Sequence, residues 1–212
     1  MAVIQGITSA PRTFAGLAEG TFAITTQPFN TRSTRVDFVT DQYPQVSIKN
    51  AERSRRGKSG ALLWKIMHAG QKCPAQWKQF MSVGENKTAL VSFLVQEWSE
   101  NLATYGPKLH NRQLVVTCGE ACFELSGVGG AAIIRTPLPE LASSHEEADT
   151  RLLLHAAHVA RSGHPVIVIR SPDTNVAVLA VSFAFELQSQ LFFRTGTKNR
   201  AQFIDITSLD GM

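Results

Sequence analysis

Ser143–Leu187 reads SSHEEADTRLLLHAAHVARSGHPVIVIRSPDTNVAVLAVSFAFEL. The pattern predicts a helix, a short loop, a strand, an acidic loop and a second helix. Leu152, Leu153, Ala156, Ala157 and Ala160 recur at helical spacing and give the first helix an apolar side. Ser144 followed by Glu147 has the spacing of a capping box, and acidic residues suit the positive end of a helix dipole. Glu146, Glu147 and Asp149 therefore read as capping, with a Glu147–Arg151 pair one turn on. His155 and His158 do not share an i,i+4 face, and no His or Cys stands at ligand spacing from them, so both fit surface or internally satisfied histidines. Gly163-His164-Pro165 breaks the helix. Val166–Ile169 is a continuous β-branched run, expected to be a strand buried on both faces. Sheets joined by helical crossovers bind ligands beyond the carboxyl ends of their strands, where Ser171-Pro172-Asp173-Thr174-Asn175 falls. Val176–Leu187 is nearly uncharged and predicts a buried helix. A charged Asp173 between two buried elements needs a partner; an N-cap or Asx-turn is the simpler role.

Outward from this unit, the 212-residue chain has a net charge of +4 and a pI of about 9.1. That mild basicity is compatible with a nucleic-acid partner. It has no 18-residue apolar run, so no membrane span is expected. Cys73, Cys118 and Cys122 lack zinc-site spacing and read as reduced thiols of an intracellular protein, with Cys118 and Cys122 across a small hairpin. Residues 1–34 are weakly patterned, with a helix expected within Thr13–Phe29 through Leu17 and Phe22. Val36–Val39 predicts a strand with Asp41 at its end, a second carboxylate at a strand's carboxyl edge. Ser47–Lys58 is the main basic patch, with Lys49, Arg53, Arg55, Arg56 and Lys58 opposed only by Glu52. On a helix, Lys49, Arg53 and Arg56 would share one face, suited to phosphates or simply to water. Gly57-Lys58-Ser59-Gly60 lacks the upstream glycine and strand of a phosphate-binding loop. Short helices are expected over Ala61–His68 and Trp77–Met81, and an amphipathic core helix over Ala89–Trp98. Trp64, Trp77 and Trp98 are read as core. Leu114–Thr117 predicts a strand, then a Gly-rich turn region to Gly130 and an extended lead through Ile133-Ile134 and Pro137–Pro139. Leu191–Arg194 and Gln202–Ile206 predict a hairpin, with Lys198 and Arg200 near its tip.

Several stretches together resemble one family. HEEADTRLLLHA, followed by VIVIRSPDTNVAVLAV, resembles the E-E-A-D-T-R and S-P-D-T-D-V motifs of a PIN-like nuclease-type domain. That domain is related to the flap endonucleases and occurs in transposon-associated metazoan proteins. VDFVTDQYPQVSIKNAERSRRG is similar to the same family's strand ending in F-D, followed by S-I-K-N-x-E-R-x-R-R. CPAQWKQFMSVGENKTALVSFLVQEW and LVVTCGEACFEL also match in order, so the resemblance runs from about Arg35 to Ile206.

The resemblance implies an α/β fold of PIN-like type: a mainly parallel sheet flanked by helices, with the C-terminal β-hairpin. A weakly patterned segment (1–34) would precede a partial domain (35–206) and a tail (207–212). It implies metal-dependent phosphodiester hydrolysis, or a degenerate descendant of it. Asp41, Glu147, Asp149 and Asp173 would be the catalytic carboxylates. These four, with Glu146 as the rival to Glu147 and with Asn175, would hold Mg2+ or Mn2+. DNA or RNA would lie along the basic 47–58 segment. Four departures point toward a degenerate member. Asn175 stands where the family has a second Asp, and Thr40 where the family has the aromatic that precedes the Asp of F-D. The family's first strand with its own Asp and its later H-A-L-T-G-C-D segment have no counterpart, so a partial domain is expected. The alternative is a nucleic-acid- or protein-binding module that keeps the fold without catalysis. If Lys49, Arg53 and Arg56 meet phosphates, replacing all three by Ala flattens the salt dependence of nucleic-acid binding by up to about three counterions. An unchanged slope in an anisotropy titration would show a solvated face.

Overall fold

The computed structural model, which contains both helices and strands, describes residues 11–43, 62–196 and 201–209. The chain divides between Glu146 and Glu147 into two units. Both combine helices with a small sheet, so the class is α/β.

The first unit opens with α1 (Phe14–Thr25). Thr13 caps it: its side chain accepts from the Gly16 N–H, while Phe14 and Ala15 donate their otherwise unpaired N–H groups to the carbonyls of Gln71 and Ala69. β1 (Arg35–Phe38) follows, then α2 (Trp77–Phe80), α3 (Gly84–Glu100), α4 (Leu102–Leu109), β2 (Gln113–Cys118), β3 (Ala121–Val128) and β4 (Ala132–Pro137). The sheet order is β1-β2-β3-β4. Phe38, Leu114, Val116 and Leu125 share one apolar cluster with Phe14, Leu17 and Phe22 of α1 and with Leu90, Leu94 and Trp98 of α3. The helix expected in the weakly patterned N-terminal segment thus belongs to this core. Trp98 and Trp77 are buried and Trp64 packs against the same cluster, as expected of core tryptophans. Trp98, 0% exposed, donates its indole N–H to the Ala18 carbonyl at 3.1 Å, joining α3 to α1.

The second unit runs α5 (Ala148–Arg161), β5 (Val166–Arg170), α6 (Thr174–Ala184), β6 (Gln190–Thr195) and β7 (Gln202–Asp205), with sheet order β5-β6-β7. β5 and β6 are parallel and joined through α6, while β6 and β7 form the expected antiparallel hairpin. Ala156, Ile167, Ile169, Val176, Ala180, Leu191 and Phe193 make its core. No helix among the described residues is long and apolar enough to cross a membrane.

Several expectations are corrected. The sheets are mixed rather than mainly parallel: among the described residues β1–β2 and β5–β6 are parallel, while β2–β3, β3–β4 and β6–β7 are antiparallel. Residues 118–130 are not a turn region. Gly119, at φ 60°, begins a two-residue turn with the glycine placement of type II′, and Cys122–Leu125 pairs with β2. Cys118 lies opposite Ala121 and Cys122 opposite Thr117, so the two thiols do not face each other in register. Residues 62–68 are not helical. The buried Asn86 amide holds them instead, accepting from the Trp64 N–H and donating to the Leu62 carbonyl. β5 is buried on one face only: Ile167 and Ile169 enter the core, whereas Val166 and Val168 are each 49% exposed. A run of β-branched residues marks a strand but carries no information about how many of its faces are covered. α6 likewise buries Val176, Ala180 and Ala184 along one stripe and leaves Val178 exposed.

Trp98 fills the joint between α1, α3 and the sheet of the first unit. Trp98→Ala is expected to lower stability by about 3–5 kcal/mol, seen as a lower urea midpoint by far-UV circular dichroism.

Candidate carboxylate site

β5 ends at Arg170 and α6 starts at Thr174, so the chain must reverse within Ser171-Pro172-Asp173. Asp173 keeps an extended backbone and acts as N-cap: its Oδ1 accepts from the Asn175 N–H at 2.9 Å. Ser171 Oγ in turn accepts from the Asp173 N–H at 3.1 Å. A short side-chain acceptor here satisfies one of the helix's free donors, and its charge meets the positive end of the dipole. Asp173 is exposed, not a charge trapped between two buried elements. Asn175 is also exposed and lies inside the helix. The cap is Asp173, the simpler role that its position suggested.

The carboxylates before the other helix are arranged differently from the expected capping box. α5 begins at Ala148 with Glu147 as its N-cap residue, and no side-chain hydrogen bond caps it. Ser144 does not cap the helix; Ser143 Oγ accepts from the His145 N–H and turns the chain before the helix begins. Glu147 is exposed, and the partly exposed Asp149 lies in the first turn, where its charge suits the dipole. Further along α5, Arg151 and His155 are buried one turn apart. A buried arginine is hard to foresee here, because a lone Arg among leucines reads as a surface position.

Asp41 belongs to the first unit. β1 stops at Phe38, and the buried Thr40 then ties the chain to β2: its N–H donates to Thr117 Oγ1 at 2.8 Å, and the two hydroxyls lie 3.0 Å apart. Asp41 Oδ2 accepts from the Tyr43 hydroxyl at 2.9 Å. Lys87 Nζ donates to that hydroxyl at 3.4 Å and stands 4.6 Å from the Tyr43 ring centroid. The Gln42 N–H donates to the Glu146 carbonyl at 2.9 Å. The structure therefore brings the backbone of Glu146 beside Asp41, two positions that sequence reasoning linked only through a shared motif order. On β1 itself, Arg35 and Asp37 form a bidentate pair, Nε–Oδ1 2.7 Å and Nη2–Oδ2 2.8 Å. Burial alone would lower the Arg35 pKa, but the hydrogen bond and charge of Asp37 outweigh it and raise it. This pair went unread in the sequence; its i,i+2 spacing, which puts both side chains on one face of a strand, is the signal.

Glu147, Asp149, Asp173 and Asn175 lie in the second unit. The basic residues Lys49, Arg53, Arg55, Arg56 and Lys58 lie outside the described residues, as do Lys198 and Arg200. Among the described residues no group of three or more His, Cys, Asp or Glu is placed to hold a metal ion. A hard divalent cation takes six or more oxygen ligands, supplied by carboxylates and water. The described carboxylates do not by themselves assemble that donor set, and one Asp173 oxygen already serves a helix N–H. No reaction step through a metal follows from this arrangement. The three cysteines are free, and burial pushes the Cys73 thiol up to about 11, which disfavours the nucleophilic thiolate. An open groove beside α3, about 640 Å³, has Trp64 and Phe93 in its lining and Glu85, Glu97 and Glu100 around them. Those glutamates make it a poor phosphate site.

Comparison with protein-family models, curated proteins and solved structures gives no match to this chain.

If Asp173 works as a cap, Asp173→Ala costs about 1 kcal/mol, and Asp173→Asn, which keeps the acceptor, costs only a few tenths. Both are read from urea melts without divalent metal. Equal losses would show that the carboxylate charge, not the capping acceptor, matters.

Proposed function

We propose that the chain is a PIN-like, nuclease-derived domain that holds nucleic acid without two-metal phosphodiester hydrolysis. The observation that carries this reading is the state of the SPDTN turn. Asp173, the acid that the family motif would commit to metal, spends Oδ1 on the Asn175 N–H. Asn175 adds a neutral amide where the resembled motif has a second carboxylate. Charge count sets how tightly an oxygen site holds a hard cation, so this turn is poorly suited to balance two divalent ions.

Three further observations support the nuclease-derived part. The turn follows the carboxyl end of a parallel strand that crosses through a helix to its neighbour, the usual place for a ligand in such sheets. Asp41 also follows the carboxyl end of a parallel strand. Glu146 reaches Asp41's neighbour through its backbone. The mildly basic chain and the 47–58 patch supply the affinity for phosphates. The competing reading is an active Mg2+- or Mn2+-dependent nuclease. It needs Asp41, Glu146, Glu147, Asp149 and Asp173 to share cations, and it predicts a different metal stoichiometry.

Calorimetric titration with Mn2+ separates the two. The unmodified chain is expected to bind no more than one ion, weakly; Asn175→Asp tightens that binding, and Asp173→Ala removes it. Two saturable ions per unmodified chain would overturn the proposal.

A further inference from the structure

The sheet of the second unit has one face against α5 and α6 and one face open. Strand alternation assigns the open face. Ile167, Ile169, Leu191 and Phe193 point to the core. Their neighbours Val166, Val168, Arg170, Phe192 and Arg194 point the other way, and register places Phe203 beside Arg194. Val166 and Val168 are half exposed and Phe203 is 61% exposed. Exposed apolar side chains scattered singly need no explanation, but here they share one strand face.

The charges on this face are of one sign at its carboxyl end. Arg170 and Arg194 are direct partners across the parallel pair, and neither makes a salt bridge among the described residues. Burial, and then the neighbouring Arg194 charge, lowers the Arg170 pKa. The guanidinium of Arg194 lies 5.9 Å from the Phe203 ring centroid. Asp205 is the acidic residue on this face, beside Phe192, and its Oδ1 accepts from the Ser208 N–H at 3.2 Å.

Like charges side by side destabilise a sheet unless something neutralises them. An exposed ring beside Arg194, which itself adjoins Arg170, fits a ligand that alternates flat apolar faces with negative charges. A protein helix of ordinary composition offers no such alternation, and a duplex hides its bases. We infer that the open face of the β5-β6-β7 sheet is a stacking platform for single-stranded nucleic acid, with bases on Phe203 and Phe192 and phosphates on Arg170 and Arg194. This rests on the proposed nucleic-acid reading and assigns it residues other than the candidate carboxylates and the basic residues of 47–58.

The test is fluorescence anisotropy of the full chain with a fluorescein-labelled oligothymidylate, over a range of salt concentrations, beside a blunt DNA duplex. Phe203→Ala is expected to weaken single-strand binding about fivefold or more, and Phe203→Trp to retain it. Phe203 is exposed, so unchanged thermal melting of both variants excludes misfolding. Replacing Arg170 and Arg194 together by Gln should reduce the salt slope by about 1.4. If the unmodified chain binds the strand but these variants bind as well as it does, the platform is overturned and the nucleic-acid reading stands. If the unmodified chain binds neither single strand nor duplex, both are overturned. A dimer in sedimentation that Phe203→Ala converts to monomer, with strand binding unaffected, would show that a second copy takes this face and would also overturn the platform.

Discussion

A single hydrogen bond, from the Asn175 N–H to Asp173 Oδ1, sits where β5 must become α6. The constraint is geometric. A strand that ends at Arg170 and a helix that starts at Thr174 leave little chain in which to change direction, and the first N–H groups of any helix lack partners. The Asp173 carboxylate meets one of them. Because α6 starts there, Val176, Ala180 and Ala184 fall on the stripe that covers Ile167, Ile169, Leu191 and Phe193. The crossover from β5 to parallel β6, and the core of the second unit, follow from that start point. The same hydrogen bond limits the chemistry open to Asp173, because an oxygen engaged with a helix N–H is a weaker ligand for a cation.

The first unit meets an equivalent problem with hydroxyls. The paired Thr40 and Thr117 fasten the end of β1 to β2, with no charge involved. Asp41 follows immediately, with the Tyr43 hydroxyl as donor and Lys87 behind it. Both acidic loops therefore leave a parallel strand at its carboxyl end, yet in each the carboxylate has a local hydrogen-bond donor. In both loops the carboxylate shapes the local chain through that hydrogen bond.

Much of this architecture was legible in the sequence wherever the pattern was local and periodic. Leu90, Leu94 and Trp98 announce α3, and the hairpin from Leu191 to Ile206 follows from β-branched and aromatic runs around polar residues. Coverage was not legible. Val166–Ile169 looks the same whether one face or both are packed, and only the number of layers decides between them. β3 was missed because Gly119, Gly127, Gly129 and Gly130 outweighed the alternation of Cys122, Phe123, Glu124 and Leu125. The 62–68 segment has helix-forming residues but forms no helix, and Asn86, which is remote in sequence, holds its backbone instead. For the candidate site, the positions of Asp41 and Asp173 beyond strand ends were readable. Which donor each carboxylate engages was not, because an N-cap and a metal ligand place the same residue types at the same spacing.

On the proposed reading, nucleic acid is held by cations and aromatic surface, and divalent metal is dispensable. The most direct test is incubation of the full chain with an end-labelled single-stranded oligonucleotide, in Mn2+ or in EDTA, followed by native and denaturing gels of the same samples. The account predicts equal retention of the strand in both conditions and an intact strand throughout. Mn2+-dependent shortening of the strand, abolished by Asp173→Ala, would contradict it.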